Sequence, residues 1–230
     1  YQITREDVLS DQLVQADEAT HKMLEGDDRK NWRLWGFLNR KGVYFEIRNT
    51  RSGNVPVEVL SGSICEYLLS DAYCGYGKAV REINKIRKEK GLPPIRCLYC
   101  NAHAIRKFKE AREVAVELKD PELEWFIAKY QEIYDLDETS EKMSLEMAGD
   151  LRKNQILPIF EEMKKRAEMM KSRYPTGHAF QKAMSYFLDY YEGLTLFTGH
   201  PRLPIDNNAM ERQLRNPVVG RKTWIGTHSK

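Results

Sequence analysis

The chain has 230 residues, of which 41% are hydrophobic and 31% charged, and its formal net charge at pH 7 is +3. These values are typical of a water-soluble globular protein. No apolar run is as long as a membrane span and no signal-peptide pattern opens the chain, so we expect a cytoplasmic protein with no membrane partner. Its four cysteines are too few for a disulfide scaffold and also favour a reducing compartment.

The first third of the chain has the pattern of three antiparallel strands. The first predicted strand segment covers residues 11–24, and residues 32–39 and 43–48 are rich in aromatic and β-branched side chains. Residues 40–42 separate the second and third segments as a hairpin turn would. We therefore predict a three-stranded meander.

A strand–helix–strand pattern comes next. After a short helix predicted over residues 55–60, residues 65–71 form an apolar run that ends in a carboxylate, Asp71. A helical pattern covers residues 76–90, and residues 95–99 read as another buried strand. This spacing requires a parallel crossover, so the predicted class is α/β with a mixed sheet of three antiparallel strands followed by βαβ.

Helical periodicity dominates from residue 101 to about residue 198. The predicted helices cover 102–118, 122–134, 140–172 and 178–196, with separators at 120–121, 135–139 and 175–177. The predicted organisation is therefore a first part of the core over 1–103, an all-α insertion over 104–200, and a final helix with the C-terminal segment over 201–230.

The final helix carries an unusual polar face. Asp206 is a good N-cap, and Pro204 discourages an earlier start. Helical spacing then brings four polar residues together: Asn207, Asn208, Glu211 and Arg215. Taken alone, this is also the pattern of a capped surface helix with ordinary charge pairs.

Two aspartates on the predicted sheet change the meaning of Glu211. Asp17 lies in the first strand and Asp71 at the end of the fourth, and these strands are neighbours if the fourth adds beside the first. Glu18 points to the opposite face and does not join them in a regular strand. Apposed carboxylates are tolerated around a cation, and oxygen ligands without clustered histidines favour Mg²⁺ or Mn²⁺ over zinc. Charged residues at strand ends are also common without a metal.

Five segments, in the order in which they occur, resemble the transposases of the insertion sequence 66 family. They are Ala16-Asp-Glu-Ala-Thr20, Leu69-Ser-Asp-Ala-Tyr-Cys-Gly-Tyr76, Cys100-Asn-Ala-His-Ala-Ile-Arg-Lys-Phe108, Ile205-Asp-Asn-Asn-Ala-Met-Glu-Arg-Gln-Leu-Arg215 and Gly220-Arg-Lys-Thr-Trp224. The resemblance covers nearly the whole chain. It implies a ribonuclease-H-like DDE catalytic core with an α-helical insertion before the last catalytic helix.

The resemblance also implies roles for the three carboxylates. Asp17, Asp71 and Glu211 match the family's acidic residues and would hold two Mg²⁺ or Mn²⁺ ions, with Asp17 shared by both. The implied reactions are DNA cleavage at the element ends and transfer of those ends to target DNA. The implied partners are element-end and target DNA, a homo-oligomer assembled on DNA, and helper proteins of the same element. The departure at Ala19, where Thr is usual, touches no acidic position.

Further residues are candidates for DNA binding or for support of the carboxylates: His103, Arg106, Lys107, Asn207, Asn208, Arg212, Arg215, Arg221 and Lys222. Arginines suit phosphate recognition but also balance nearby carboxylates. His103 fits either a phosphate contact or a structural role. Tyr73 and Tyr76, near Asp71, either pack or stack on a base.

The motif Cys97-x-x-Cys100-x-x-His103 invites a metal-binding interpretation, but it lacks a fourth ligand. Cysteines at the end of a buried strand also act as small hydrophobes. Two alternatives to a transposase stay open: a ribonuclease-H-like nuclease without strand transfer, and a non-catalytic DNA-binding module. The chain starts at Tyr1 rather than Met, so we expect an upstream part that recognises DNA sequence.

Overall fold

The computed structural model describes residues 5–21, 32–114 and 120–223, and only the backbone of 221–223. The chain forms two compact units. The α/β unit comprises Tyr1–Cys97 and Asp206–Lys230, and the helical unit comprises Leu98–Ile205. The two ends of the chain therefore contribute to one unit.

The α/β unit is built on a mixed sheet with the strand order β3-β2-β1-β4-β5. Its strands are β1 (Leu13–Thr20), β2 (Arg33–Leu38), β3 (Val43–Arg48), β4 (Tyr67–Ser70) and β5 (Arg96–Tyr99), of which β5 continues into the helical unit. β1 pairs antiparallel with β2, β2 antiparallel with β3, and β1 parallel with β4. The predicted meander and the placement of the fourth strand beside the first are confirmed. Residues 22–24 of the first predicted segment lie outside the described residues.

The helices of this unit are α1 (Arg5–Leu9), α2 (Asn54–Leu60), α3 (Cys74–Glu89) and α10 (Asn208–Thr223). α3 ends just before Gly91, whose φ of +67° is readily available only to glycine. The helices predicted over 55–60 and 76–90 are thus confirmed with small shifts at their ends.

The strand alternation of β1 gives the sheet two different faces. Val14 and Ala16 point into a core formed with Trp35 and with Ile83 of α3. Residues of the other parity share a second, smaller apolar cluster with α10, made of Leu34, Met210 and Leu214 with partly buried Ala19, Leu38, Val43 and Phe45. α3 and α10 therefore cover opposite faces of the sheet.

The helical unit contains α4 (Asn101–Val114), α5 (Pro121–Glu141), α6 (Leu145–Leu151), α7 (Leu157–Met170), α8 (Ala179–Asp189) and α9 (Tyr191–Thr195). A π-helical turn at Arg152–Ile156 joins α6 to α7. Its core is aromatic, with fully buried Phe108, Phe126, Tyr130, Phe160 and Phe187. Phe108 stacks on Phe126 with ring centroids 5.1 Å apart.

The separator predicted at residues 135–139 is wrong. α5 continues to Glu141, and the break comes at residues 142–144, where Ser144 caps α6 by accepting from the Met147 N–H at 3.3 Å. Asp137 stays helical because it is buried and forms an ion pair with Arg152 at 2.9 Å. Its polarity, read from sequence as a loop signal, serves a tertiary contact.

No helix among the described residues is both long and apolar enough to cross a membrane.

Candidate active site

Asp17 lies on the α10 face of β1, opposite Gly36 of β2. A Cβ atom at Gly36 would lie 2.2 Å from Met210 Cε and 3.2 Å from Phe45 Cε1. The missing side chain at Gly36 therefore lets α10 pack close to the sheet beside Asp17.

The start of α10 is tied to the same strand. Asn207 is buried, and its Nδ2 donates to the Ala16 carbonyl at 3.1 Å, one residue before Asp17. Asp206 Oδ1 accepts from the N–H of Asn208, the first helical residue, at 3.0 Å. Asp206 thus caps the first backbone N–H of α10, and Glu211 lies in the first turn of that helix.

Asp71 directly follows β4, whose four residues are all buried. Its Oδ1 accepts from the Tyr73 N–H at 3.1 Å, which shapes the turn into α3. Because β4 is parallel to β1, Asp71 lies at the carboxyl end of a strand adjacent to the strand of Asp17.

The three predicted carboxylates lie close enough to interact electrostatically. The pKa of Asp17 is raised to about 7, first by burial and then by the negative charges of Glu18, Asp71 and Glu211, while the hydrogen bond from the Glu18 N–H opposes the rise. This N–H is 2.8 Å from Asp17 Oδ1. Asp17 therefore lies in surroundings that disfavour its own negative charge.

Glu18 faces α3, on the other side of β1, as predicted. Its side chain is only 1% exposed and is held by Arg51 Nε at 2.6 Å and by the Tyr76 hydroxyl at 2.8 Å. The net effect is a raised pKa of Glu18. Burial and the charge of Asp71 raise this pKa, and the two hydrogen bonds only partly offset the rise. Glu18 thus belongs to the electrostatic surroundings of the carboxylates without sharing their face.

The remaining candidates differ in what the structure describes. Arg212 and Arg215 are exposed on α10. Arg221 and Lys222 lie in the helical backbone of α10, but their side chains, like residue Trp224, lie outside the described residues.

His103, Arg106 and Lys107 lie on α4 in the helical unit. Arg106 and Lys107 are exposed, and Lys107 pairs with Glu110 at 3.1 Å. Cys97 packs half-buried against the core of the α/β unit, and Cys100 is fully buried in the helical unit. These positions suit the packing role that the sequence left open for the two cysteines.

Sequence reasoning missed Gly36 and Arg51. A glycine inside an aromatic strand, Trp35-Gly36-Phe37, was an available signal of close backbone approach. Arg51 follows β3 in a polar segment, and no local pattern connects it to Glu18, which is 33 residues earlier.

Comparison with known proteins shows the family of this chain. The family described as "Transposase IS66 family" matches residues 1–230. The chain belongs to this family. The resemblance seen in the five sequence segments is thereby confirmed.

Two curated relatives come from Sinorhizobium fredii (strain NBRC 101917 / NGR234). The IS66-family chain is 24% identical over 236 residues to the uncharacterized protein y4hP, covering 94% of this chain and 41% of that protein. It is 25% identical over 180 residues to the uncharacterized protein y4jD, covering 78% of this chain and 33% of that protein. The chain thus spans about two fifths or less of the length of these relatives.

Proposed function

We propose that this chain is the catalytic part of a DDE transposase with a ribonuclease-H-like core. The observation that carries the proposal is the convergence of Asp17, Asp71 and Glu211 from β1, the end of β4 and α10. Both other carboxylates raise the pKa of Asp17, which reaches about 7. Three acidic groups from distant parts of the sequence, gathered in a partly buried site, favour a cation-binding catalytic role over ordinary surface charge.

The residues fit two Mg²⁺ or Mn²⁺ ions. All three offer hard oxygen donors, and the crowding that raises the pKa of Asp17 would be relieved by a divalent cation. When bound, the ions activate the attacking oxygen and offset the charge that develops on the leaving oxygen. The chain itself supplies the position of the ligands: Gly36 allows the close approach of α10, and Asn207 ties that helix to β1.

The proposed reaction is phosphoryl transfer on DNA. In the first step a water oxygen bonds to a phosphorus atom at the element end, the bond to the 3′ oxygen breaks, and that oxygen leaves as a 3′-hydroxyl after taking up a proton. In the second step this hydroxyl attacks a phosphodiester of target DNA, joins to its phosphorus, and displaces the target's own 3′ oxygen. Two ends handled in one reaction suggest a homo-oligomer on DNA, and helper proteins of the same element complete the proposed partners.

Cleavage of labelled element-end DNA with Mg²⁺ tests the assignment. We expect Asp71→Asn and Glu211→Gln each to lower the rate at least about 100-fold, the scale of losing a charge-stabilising group. Glu58→Gln is the matched control, because Glu58 is a half-exposed carboxylate of the same unit that pairs with Arg48 at 3.0 Å. Undiminished cleavage by either active-site variant would reject the proposal.

Two further readouts separate the alternatives. Joined DNA products distinguish a transposase from a nuclease that only cuts. Calorimetric titration with Mn²⁺ distinguishes a catalytic site from a DNA-binding module, because only the former loses divalent-ion binding on Asp17→Asn.

A further inference from the structure

Arg51 is held in place by a buried carboxylate and an aromatic ring. Its Nε donates to Glu18 Oε1 at 2.6 Å, and the Tyr76 hydroxyl donates to Glu18 Oε2 at 2.8 Å. Both oxygens of this buried carboxylate are therefore engaged by neighbours. Glu18 acts as an anchor for Arg51 rather than as an exposed acidic group.

Tyr73 contacts the guanidinium of Arg51. The Arg51 Cζ lies 4.0 Å from the centroid of the Tyr73 ring, a cation–π contact. That ring lies over Gly75, where an added Cβ would come within 2.4 Å of Tyr73 Cε1. The edge-to-face contact with Tyr76, at 6.4 Å between centroids, holds the ring from another side. Arg51 is thus held by a hydrogen bond to Glu18 and by a cation–π contact with Tyr73.

The outer edge of the guanidinium keeps its donors available. The Arg51 side chain is 46% exposed, and among the described residues its two Nη atoms have no hydrogen-bond acceptor. A planar pair of N–H donors matches two oxygens of a phosphate. The immobilised fork has little conformational entropy left to lose when it binds.

The fork lies near the proposed catalytic carboxylates. Burial lowers the pKa of Arg51, but the hydrogen bond and charge of Glu18, together with Tyr73 and Asp71, outweigh this and raise it. A hydrogen bond also links Tyr73, which contacts Arg51, to Asp71: the Tyr73 N–H donates to Asp71 Oδ1. A phosphate approaching Asp71 is repelled by the acidic cluster and attracted by Arg51.

We propose that Arg51 binds a backbone phosphodiester of the DNA strand that enters beside Asp71, with Glu18, Tyr73 and Tyr76 as the residues that position it. This inference rests on the proposed function, because it takes DNA as the substrate. It adds a phosphate-binding residue in the segment after β3, where none of the candidates from sequence lies.

The test is DNA binding measured with Ca²⁺ over a series of salt concentrations. Arg51→Gln is expected to weaken binding about tenfold or more, the scale of one charged hydrogen-bonded contact. It is also expected to reduce the slope of log affinity against log salt by about one. Arg48→Gln is the matched control: Arg48 lies in the same unit, its side chain is 38% exposed, and it already pairs with Glu46 and Glu58.

A double-mutant cycle tests the positioning role of Glu18. Glu18→Gln keeps the charge of Arg51 but weakens its anchor, so we expect an approximately threefold loss of affinity on its own and little further loss in the Arg51→Gln background. Arg51→Lys keeps the charge without the planar fork and is expected to restore the salt slope but only part of the affinity. Fully additive losses, or equal affinities for Arg51→Gln and Arg48→Gln, would overturn the inference.

The two proposals fail in different ways. Asp71→Asn that still cleaves DNA rejects the catalytic assignment, whatever Arg51 does. Parent-like binding and salt dependence of Arg51→Gln, in a protein whose cleavage still requires Asp71, rejects only the role of Arg51. Thermal unfolding of each variant verifies that the fold is intact.

Discussion

Two aspartates of this IS66-family chain, one in each unit, lie in opposite electrostatic surroundings. In the helical unit, buried Asp137 is paired with buried Arg152, whose Nη1 also donates to the carbonyls of Leu203 at 2.8 Å and His200 at 3.2 Å. In the α/β unit, the charges that act most strongly on Asp17 are those of other carboxylates. The first arrangement stabilises a fold, and the second destabilises it unless a cation binds. Uncompensated charge is therefore the better sign of function.

Breaking the compensated pair should give the largest effect on stability. Asp137→Ala leaves Arg152 buried without its counter-charge, and we expect the free energy of unfolding to fall by about 4 kcal/mol. Urea unfolding followed by circular dichroism measures this loss. The double variant Asp137→Leu/Arg152→Met should recover most of it, and a single-variant loss below about 1 kcal/mol would contradict the pairing argument.

The close approach of α10 to the sheet can be broken at Gly36. Gly36→Val places carbon atoms against Met210 and Phe45, so we expect about 2 kcal/mol of destabilisation from overpacking and a much lower DNA cleavage rate. Gly62→Val is the control, because no atom lies within 4 Å of a Cβ at Gly62. Equal cleavage by both variants would show that this packing does not position Glu211.

Removing the uncompensated charge should stabilise the metal-free protein. The pKa of Asp17 is about 7 in the folded state against 3.8 for an ordinary aspartate, so the parent loses stability as pH rises from about 4 through about 7. At pH 8 we expect Asp17→Asn to have a free energy of unfolding about 2 kcal/mol higher than the parent, about half of the energy that the full pKa shift represents. At pH 5 this difference between variant and parent should be smaller. Unfolding in EDTA at both pH values measures it. A parent as stable as the variant at pH 8 would contradict the electrostatic picture, even if the variant cannot cleave DNA.

The smallest effect concerns a polar atom in the aromatic core. The Tyr130 hydroxyl is buried and has no hydrogen-bond partner among the described residues, so Tyr130→Phe should raise the free energy of unfolding by up to about 1 kcal/mol. Tyr174→Phe is the opposite control, because its hydroxyl donates to Asp120 Oδ2 at 2.7 Å and its removal should destabilise. Thermal melts of the two variants should shift in opposite directions, and a destabilised Tyr130→Phe would contradict the argument.

Local patterns predicted the elements of the α/β unit well. Strand alternation and hairpin spacing are properties of short segments, so β1, β2, β3 and the β4–α3–β5 order were readable in advance. The helix boundary at residues 135–139 was not, because Asp137 signals a loop locally and makes its ion pair with a residue 15 positions later. The role of Arg87 in α3 is likewise invisible locally: it is buried and donates to the Ser63 and Pro93 carbonyls.

The acidic residues themselves, their strand and helix positions and the family were all available from the order of residues, because periodicity and motifs are local. Only the tertiary structure decided that Gly36 makes room for Met210, that Asn207 ties α10 to Ala16, and that Arg51 is held by Glu18 and Tyr73. Asn207 and Ala16 are separated by 191 positions, and no local rule links them. Contacts of this kind depend on how the sheet and its two covering helices pack, and they determine the electrostatics on which the proposed chemistry depends.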